Sequence, residues 1–179
     1  MKKFKLISSD SASIDALEEK ILEYLNFLIV GDGKRAHCPF VKNMMKKKKF
    51  FYRRSNELLN KKEVTRGLLE MDQLSLMDSD RYAVFCIVYE EIRNYDAGFS
   101  RMVEECRQEK RLEYIRKGTT IAWTHPENHP GTHTNKDKGD YPLWISKAPM
   151  LMLRKLDKGD EPFMISKEAQ DAFSKGILK

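Results

Sequence analysis

The sequence predicts an α/β (α+β) fold, a single domain in which a small mixed β-sheet is flanked by helices. Three observations carry that expectation. Residues 81–89, RYAVFCIVY, form an almost continuous apolar run rich in β-branched and aromatic side chains, the pattern of a strand buried on both faces. Residues 96–117 place apolar side chains at helical spacing and TTIAW follows at once, so strand, helix and strand succeed one another within about 40 residues. The default geometry for such a unit is a parallel pair joined by a right-handed crossover. Last, 179 residues of which 41% are hydrophobic suffice for one packed core, so residues 1–179 are read as one domain.

The elements follow in order. Residues 1–10 read as a loosely ordered lead-in, with Phe4 and Leu6 able to pack on the body. Ser13 is placed to cap a first helix whose apolar residues Ile14, Leu17, Ile21, Tyr24, Leu25 and Leu28 recur at steps of three and four, and Gly31 and Gly33 stop it. Pro39 suits the first turn of a second helix reaching about Lys48, and a short strand is expected around residues 50–53. Residues 56–78 lack a clean period and read as a connection with a helical turn or two. The helix over 96–117 has Phe99, Met102, Val103, Cys106, Leu112 and Ile115 on its apolar face. Arg101, Glu104, Glu105, Arg107, Glu109, Lys110 and Arg111 supply a mixed-charge solvent face, and Gly118 ends the helix. APMLML at 148–153 is a further strand, and residues 166–174 form a closing helix capped by Ser166.

Composition narrows the function classes. No apolar run reaches the roughly 18 residues that a membrane helix requires, and the basic N-terminus lacks the apolar stretch of a signal peptide, so a cytoplasmic protein without a membrane partner is expected. Three cysteines, Cys38, Cys86 and Cys106, include no C-x-x-C pair, which fits a reducing compartment. The net charge of +6 is unevenly spread: residues 42–66 hold ten Lys or Arg against two acids, so the remainder of the chain is slightly negative. That segment, with Lys46, Lys47, Lys48 and Lys49 at its centre, is a candidate surface for nucleic acid or an acidic protein.

The richest chemistry lies between two apolar runs. Residues 124–141 have no hydrophobic period, and Pro126, Pro130 and Pro142 exclude a helix or a central strand, leaving a loop of about 18 residues, longer than compact domains usually carry. It holds His125, His129 and His133, candidate ligands, with His37 or Cys38, for Zn²⁺ or iron. Because it leaves a sheet strand at its C-terminal end, it is expected at the edge where open α/β sheets bind ligands. Trp123 and Trp144 flank the loop and are candidate walls of a pocket. Cys38 precedes a helix start, where the dipole favours a thiolate. Arg154, at the end of an apolar strand, either forms a buried pair with Asp157 or Asp160 or presents its fork to a carboxylate or phosphate.

Several short motifs occur together: Cys38-Pro39-Phe40-Val41, then His125-Pro126, then Ser146, Pro149, Leu151 and Arg154, and last Asp160, Pro162 and Phe163. In this order they resemble a bacterial family of uncharacterised proteins with CPFV and SPxPLLxIR signatures. More distantly, a C-x-F motif after the first helix and an arginine-bearing strand near the end are similar to the haem-dependent N-hydroxylases of guanidine groups. That likeness implies a haem pocket with a histidine axial ligand.

The functional expectation is a small-molecule enzyme or ligand-binding protein whose site joins the CPF turn, the histidine-rich loop and Arg154. Cys38 and Arg154 are the candidate catalytic residues, His37, Phe40, Trp123 and Trp144 the candidate cofactor contacts, and His125, His129 and His133 the candidate metal ligands. In its sharper form this is a haem- or divalent-metal-dependent oxygenase acting on a small nitrogenous substrate. The alternative is a non-enzymatic binding or regulatory protein that uses residues 42–66.

Overall fold

The structure is a computed structural model that describes residues 3–7, 14–30, 38–57, 60–90, 97–124, 148–164 and 166–177. Its sheet contains β1 (Lys5–Leu6), β2 (Phe50–Ser55), β3 (Val84–Tyr89), β4 (Thr119–Thr124) and β5 (Met150–Lys155). Their order in space is β1-β2-β3-β5-β4. Strands β2 and β3 are parallel and every other neighbouring pair is antiparallel, so the domain is the mixed-sheet α/β fold that the sequence predicts.

Every residue of β3 is buried, because strands pair with both its edges and helices cover both its faces. On one face, α1 (Ala16–Val30) and α2 (Pro39–Lys46) pack Ile21, Tyr24, Leu25, Phe40 and Met44 against Tyr52, Cys86 and Met152. On the other, α3 (Lys61–Met77) and α4 (Ala97–Arg116) pack Val64, Leu68, Val103 and Cys106 against Phe85, Ile87, Ile121 and Leu153. Cys38, Cys86 and Cys106 are all free thiols; burial pushes the Cys86 thiol far above its usual pKa, and burial also raises that of Cys106.

The strand-helix-strand unit departs from expectation in one respect. Helix α4 carries the chain from β3 to β4, and the two strands point the same way, but β5 lies between them and pairs antiparallel with both. Burial explains the exchange. The MLML of β5 is buried on both faces and suits an interior position, whereas Thr120 and Ala122 of β4 are only half-buried and suit an edge.

Residues 61–77, read from sequence as a connection, form the 17-residue helix α3. Asn60 caps it, its Oδ1 accepting the Glu63 N–H at 2.9 Å. The lead-in also joins the sheet: β1 pairs with β2, Ile7 is buried, and the Phe4 ring meets Phe85 edge-on. Helix α2 ends at Lys46, two residues before the expected stop, with Lys48 in the left-handed region at φ 54°. Gly118, at φ 78°, closes α4 as expected.

The chain ends in a 3-10 helix (Lys158–Phe163) and α5 (Lys167–Gly176), whose cap is Ser166, accepting from the Ala169 N–H at 3.1 Å. A Cβ added to Gly176 would lie 2.0 Å from the Ile115 carbonyl oxygen, so only glycine lets α5 come this close to the end of α4. Among the described residues, no helix is long and apolar enough to cross a membrane.

Candidate functional site

Three of the candidate residues converge at one end of the sheet. Cys38 is the N-cap of α2, in extended backbone, and its N–H donates to the Leu28 carbonyl at 3.0 Å. Two residues on, the Phe40 ring lies 4.8 Å beneath the Arg154 guanidinium. Arg154 resolves its two alternatives in favour of the pair: Nη1 and Nη2 donate to the two oxygens of Asp160 at 2.8 and 2.5 Å. Asp160 is held in turn by the Asp157 N–H at 2.8 Å, and Asp157 is paired with Arg81 at 2.6 Å. Burial lowers the pKa of Arg154, but the hydrogen bonds and charge of Asp160 more than offset it, with Cys38 and Asp157 adding to the rise.

Arg154 stands opposite Val84 and Thr120, whereas Thr124 pairs with Met150. Along a strand the separation from Met150 to Arg154 is about 13 Å. The Thr124–Met150 pair and the Arg154 cluster are thus at opposite ends of these strands.

A cleft of about 160 Å³ follows the outer edge of β4. Its lining takes in Arg154, Asp160 and Met164 at one end, Thr120, Ile121, Ala122 and Trp123 along the strand, and Arg107, Arg111 and Ile115 from α4. Trp123, a candidate wall from its sequence position, does line it; its Nε1 donates to Glu104 Oε2 at 3.3 Å. Glu104 also takes a two-pronged hydrogen bond from Arg107, Nε at 2.8 Å and Nη2 at 2.6 Å, and one from Gln108. Burial pushes the Glu104 pKa up, yet Arg107, assisted by Gln108 and Trp123, holds it below the usual carboxylate value.

Arg111 is the counterpart. Burial, and then the like charge of Arg107 one turn away, lower its pKa, against an upward pull from Glu104. Three guanidinium groups therefore line the cleft; among the described residues, Asp160 engages Arg154 and Glu104 engages Arg107. The sequence pattern alone places Arg107 and Arg111 on a solvent face. The signal that could have found them is the row 104, 107, 111, 115, which runs at steps of three and four into the buried Ile115 and so lies on the flank of the helix.

The basic segment 42–66 is organised differently. Lys47 pairs with Asp80, Lys49 with Asp78, Arg54 with Asp15 and Glu90, Lys61 with Glu109, and Arg66 with Glu57 and Glu63. Arg53 is buried, donating from Nε and Nη2 to Glu70 at 3.1 and 2.9 Å.

His37, His125, His129, His133 and Trp144 lie outside the described residues, as does the metal or haem ligation assigned to the histidines. Among the described residues, no group of three His, Cys, Asp or Glu is arranged to hold a metal ion.

No curated protein and no solved structure matches the chain. Residues 32–175 match the model of the family described as a domain of unknown function, DUF6875. That span contains the Cys38–Phe40 turn, both arginines of α4, the whole of β4 and the Arg154–Asp160 pair. The expectation of an uncharacterised family holds at that level, and the chain belongs to the DUF6875 family.

Proposed function

We propose that the protein binds a small carboxylate in the cleft beside β4, with Arg111 and Arg107 as the anion contacts. The observation that supports it is that Arg107, Arg111 and Arg154 line one space of about 160 Å³. An engineered apolar cavity of about 150 Å³ holds benzene, so the space suits a ring-sized ligand body.

The roles follow from position. Glu104 fixes Arg107 through its Nε/Nη2 edge and anchors the Trp123 ring, so both are set before a ligand arrives. Ile115, Ile121 and Met164 give the cleft an apolar wall for the ligand body. Arg154, neutralised by Asp160, closes the far end. A ligand carboxylate in this space meets the Arg107 and Arg111 guanidinium groups, whose planar forks suit it.

Thermal denaturation with benzoate and with benzamide tests the reading, since the two differ little in shape and differ in charge. Benzoate is expected to raise the Tm in a saturable way, by the equivalent of about 2.7 kcal/mol at 100 times its Kd. Benzamide leaves it unchanged, and the benzoate effect disappears in Arg111→Ala. Equal shifts from both compounds, or a shift that survives the substitution, reject the anion site.

A further inference from the structure

We infer that the outer face of α3 is a self-association surface, on which a second copy of this chain lays its own α3 antiparallel to the first. Helix α3 carries three large apolar side chains on the outside of the protein: Leu69, Leu76 and Met77 are 53%, 71% and 82% exposed. Apolar residues scattered singly over a surface need no explanation, but a contiguous group of them is the mark of an interaction surface. These three share a face. With 3.6 residues per turn, Lys62, Arg66, Leu69, Gln73, Leu76 and Met77 fall within an arc of about 100°, and all six are exposed. The opposite arc carries Val64, Leu68, Met71 and Ser75 into the core.

Charge names the occupant. A helix favours anions at its N-terminus and cations at its C-terminus. On its outside α3 has the reverse: Lys61, Lys62 and Arg66 stand in its first two turns, no basic residue stands in its last turn, and Asp78 and Asp80 follow its end. Glu63, the acid of the first turn, is buried. Pairs within the chain offset part of this cost, Lys61 with Glu109, Arg66 with Glu57 and Glu63, Asp78 with Lys49 and Asp80 with Lys47, yet the Lys61 and Arg66 side chains stay more than half exposed. A surface that complements this one must set anions beside the first turns, apolar side chains at the middle and cations beside Asp78 and Asp80. That is the same face turned end for end, the self-complementarity that a twofold interface requires.

A twofold axis passing near Gln73 meets these demands. It sets Leu69 of one copy beside Leu76 and Met77 of the other and brings Arg66 about level with Asp80 of the other. The cationic first turns of each helix then lie off the negative C-terminal end of its neighbour. At a rise of about 1.5 Å per residue the two copies of Gln73 are level with each other, whereas the two copies of Lys62 are separated by about 33 Å along the helices. Six side chains from each copy make a contact at the small end of interface size, so the dimer is a weak one.

The test uses the full chain. Sedimentation equilibrium between about 1 μM and about 300 μM, a range suited to a weak contact, should show a monomer passing into a dimer. Leu76→Lys and Met77→Lys should each weaken the dimer by about tenfold or more. Both should leave the Tm at the lowest concentration unchanged, because these side chains already lie outside the core. Orientation is read by oxidative cross-linking at a concentration where the dimer forms. Gln73→Cys should yield a disulfide-linked pair, and Lys62→Cys no more than the wild type, whose own thiols give the background. A chain that stays monomeric throughout assigns this face to some other partner and overturns the inference. It fails equally if neither lysine substitution weakens the dimer, or if Lys62→Cys cross-links as readily as Gln73→Cys.

Discussion

Two clusters of arginine and glutamate sit on the same face of the sheet and do opposite things. In the first, Arg53 on β2 is buried against α3, with Glu70 on its Nε and Nη2 and Glu63 3.9 Å away; Glu63 is itself engaged by Ser55 and Arg66. In the second, Glu104 holds Arg107 and Trp123, but Arg111 stands beside Arg107 and a cleft opens in front of both. The first cluster encloses its charge within protein. The second borders a cleft that both Arg107 and Arg111 line, so its guanidinium groups adjoin space that a ligand can enter. Arginine content alone therefore says nothing of binding; what distinguishes the two is whether the guanidinium is enclosed by protein or lines a cleft.

The contrast is sharpest when the first cluster is broken. Arg53→Ala leaves Glu70 and Glu63 without their buried cation, and removing one partner of such a pair costs about 3–5 kcal/mol. Urea denaturation should show a loss of that size, with benzoate binding to the remaining folded protein unchanged. A loss below about 1 kcal/mol would mean that the carboxylates relax to water and that the cluster is less closed than its burial implies.

Glu104 gives a smaller effect that depends on pH. Its pKa is lower in the folded than in the unfolded protein, so its contribution is complete above the unfolded value of about 4.3 and is lost as pH falls through the lowered folded value. Glu104→Gln should cost about 1 kcal/mol at neutral pH, the size of partly exposed charged hydrogen bonds. Below the folded pKa of Glu104 the variant and the wild type should converge. Denaturation midpoints measured from pH 7 to pH 3 check this; a difference that stays constant over the range would show that Glu104 acts by shape and not by charge.

The same balance of pattern and partner decides what could be read from the sequence. Strand β3 was legible because its apolar run is uninterrupted, and α4 because its period is clean. Helix α3 was hidden by an inversion: Glu63 and Asp72 are buried on it while Leu69, Leu76 and Met77 are exposed, so its hydrophobic pattern does not trace its buried face. Periodicity carries no information on which strand fills a gap, so the place of β5 between β3 and β4 could not be seen. Arg154 and Phe40 stood out through their motifs, and the structure does bring them together. Arg107 and Arg111 were passed over because charge on a helix is read as solvent exposure, although their row leads into buried Ile115.

The smallest effect concerns the basic segment, where the comparison can be carried to the outside of the molecule. Ten cations there would, if they all met phosphates, give a slope of log K on log salt near −9 and a loss of more than 10⁵-fold between 50 and 200 mM. A lysine already held by an aspartate carries little condensed-anion demand of its own, and to reach a phosphate it must first give up its partner. Lys47, Lys49, Arg53, Arg54, Lys61 and Arg66 are in that position and Lys48 is engaged as well, which leaves chiefly Lys42, Lys46 and Lys62 to act. Three contacts correspond to a slope near −3 and a loss of about 40-fold over the same range. A fluorescence titration against a short DNA duplex at several salt concentrations should therefore give weak binding with the shallow slope. A slope near −9 would show that the acids release their lysines on contact, and the outer surface would then behave as we propose for the cleft and unlike the closed cluster around Arg53.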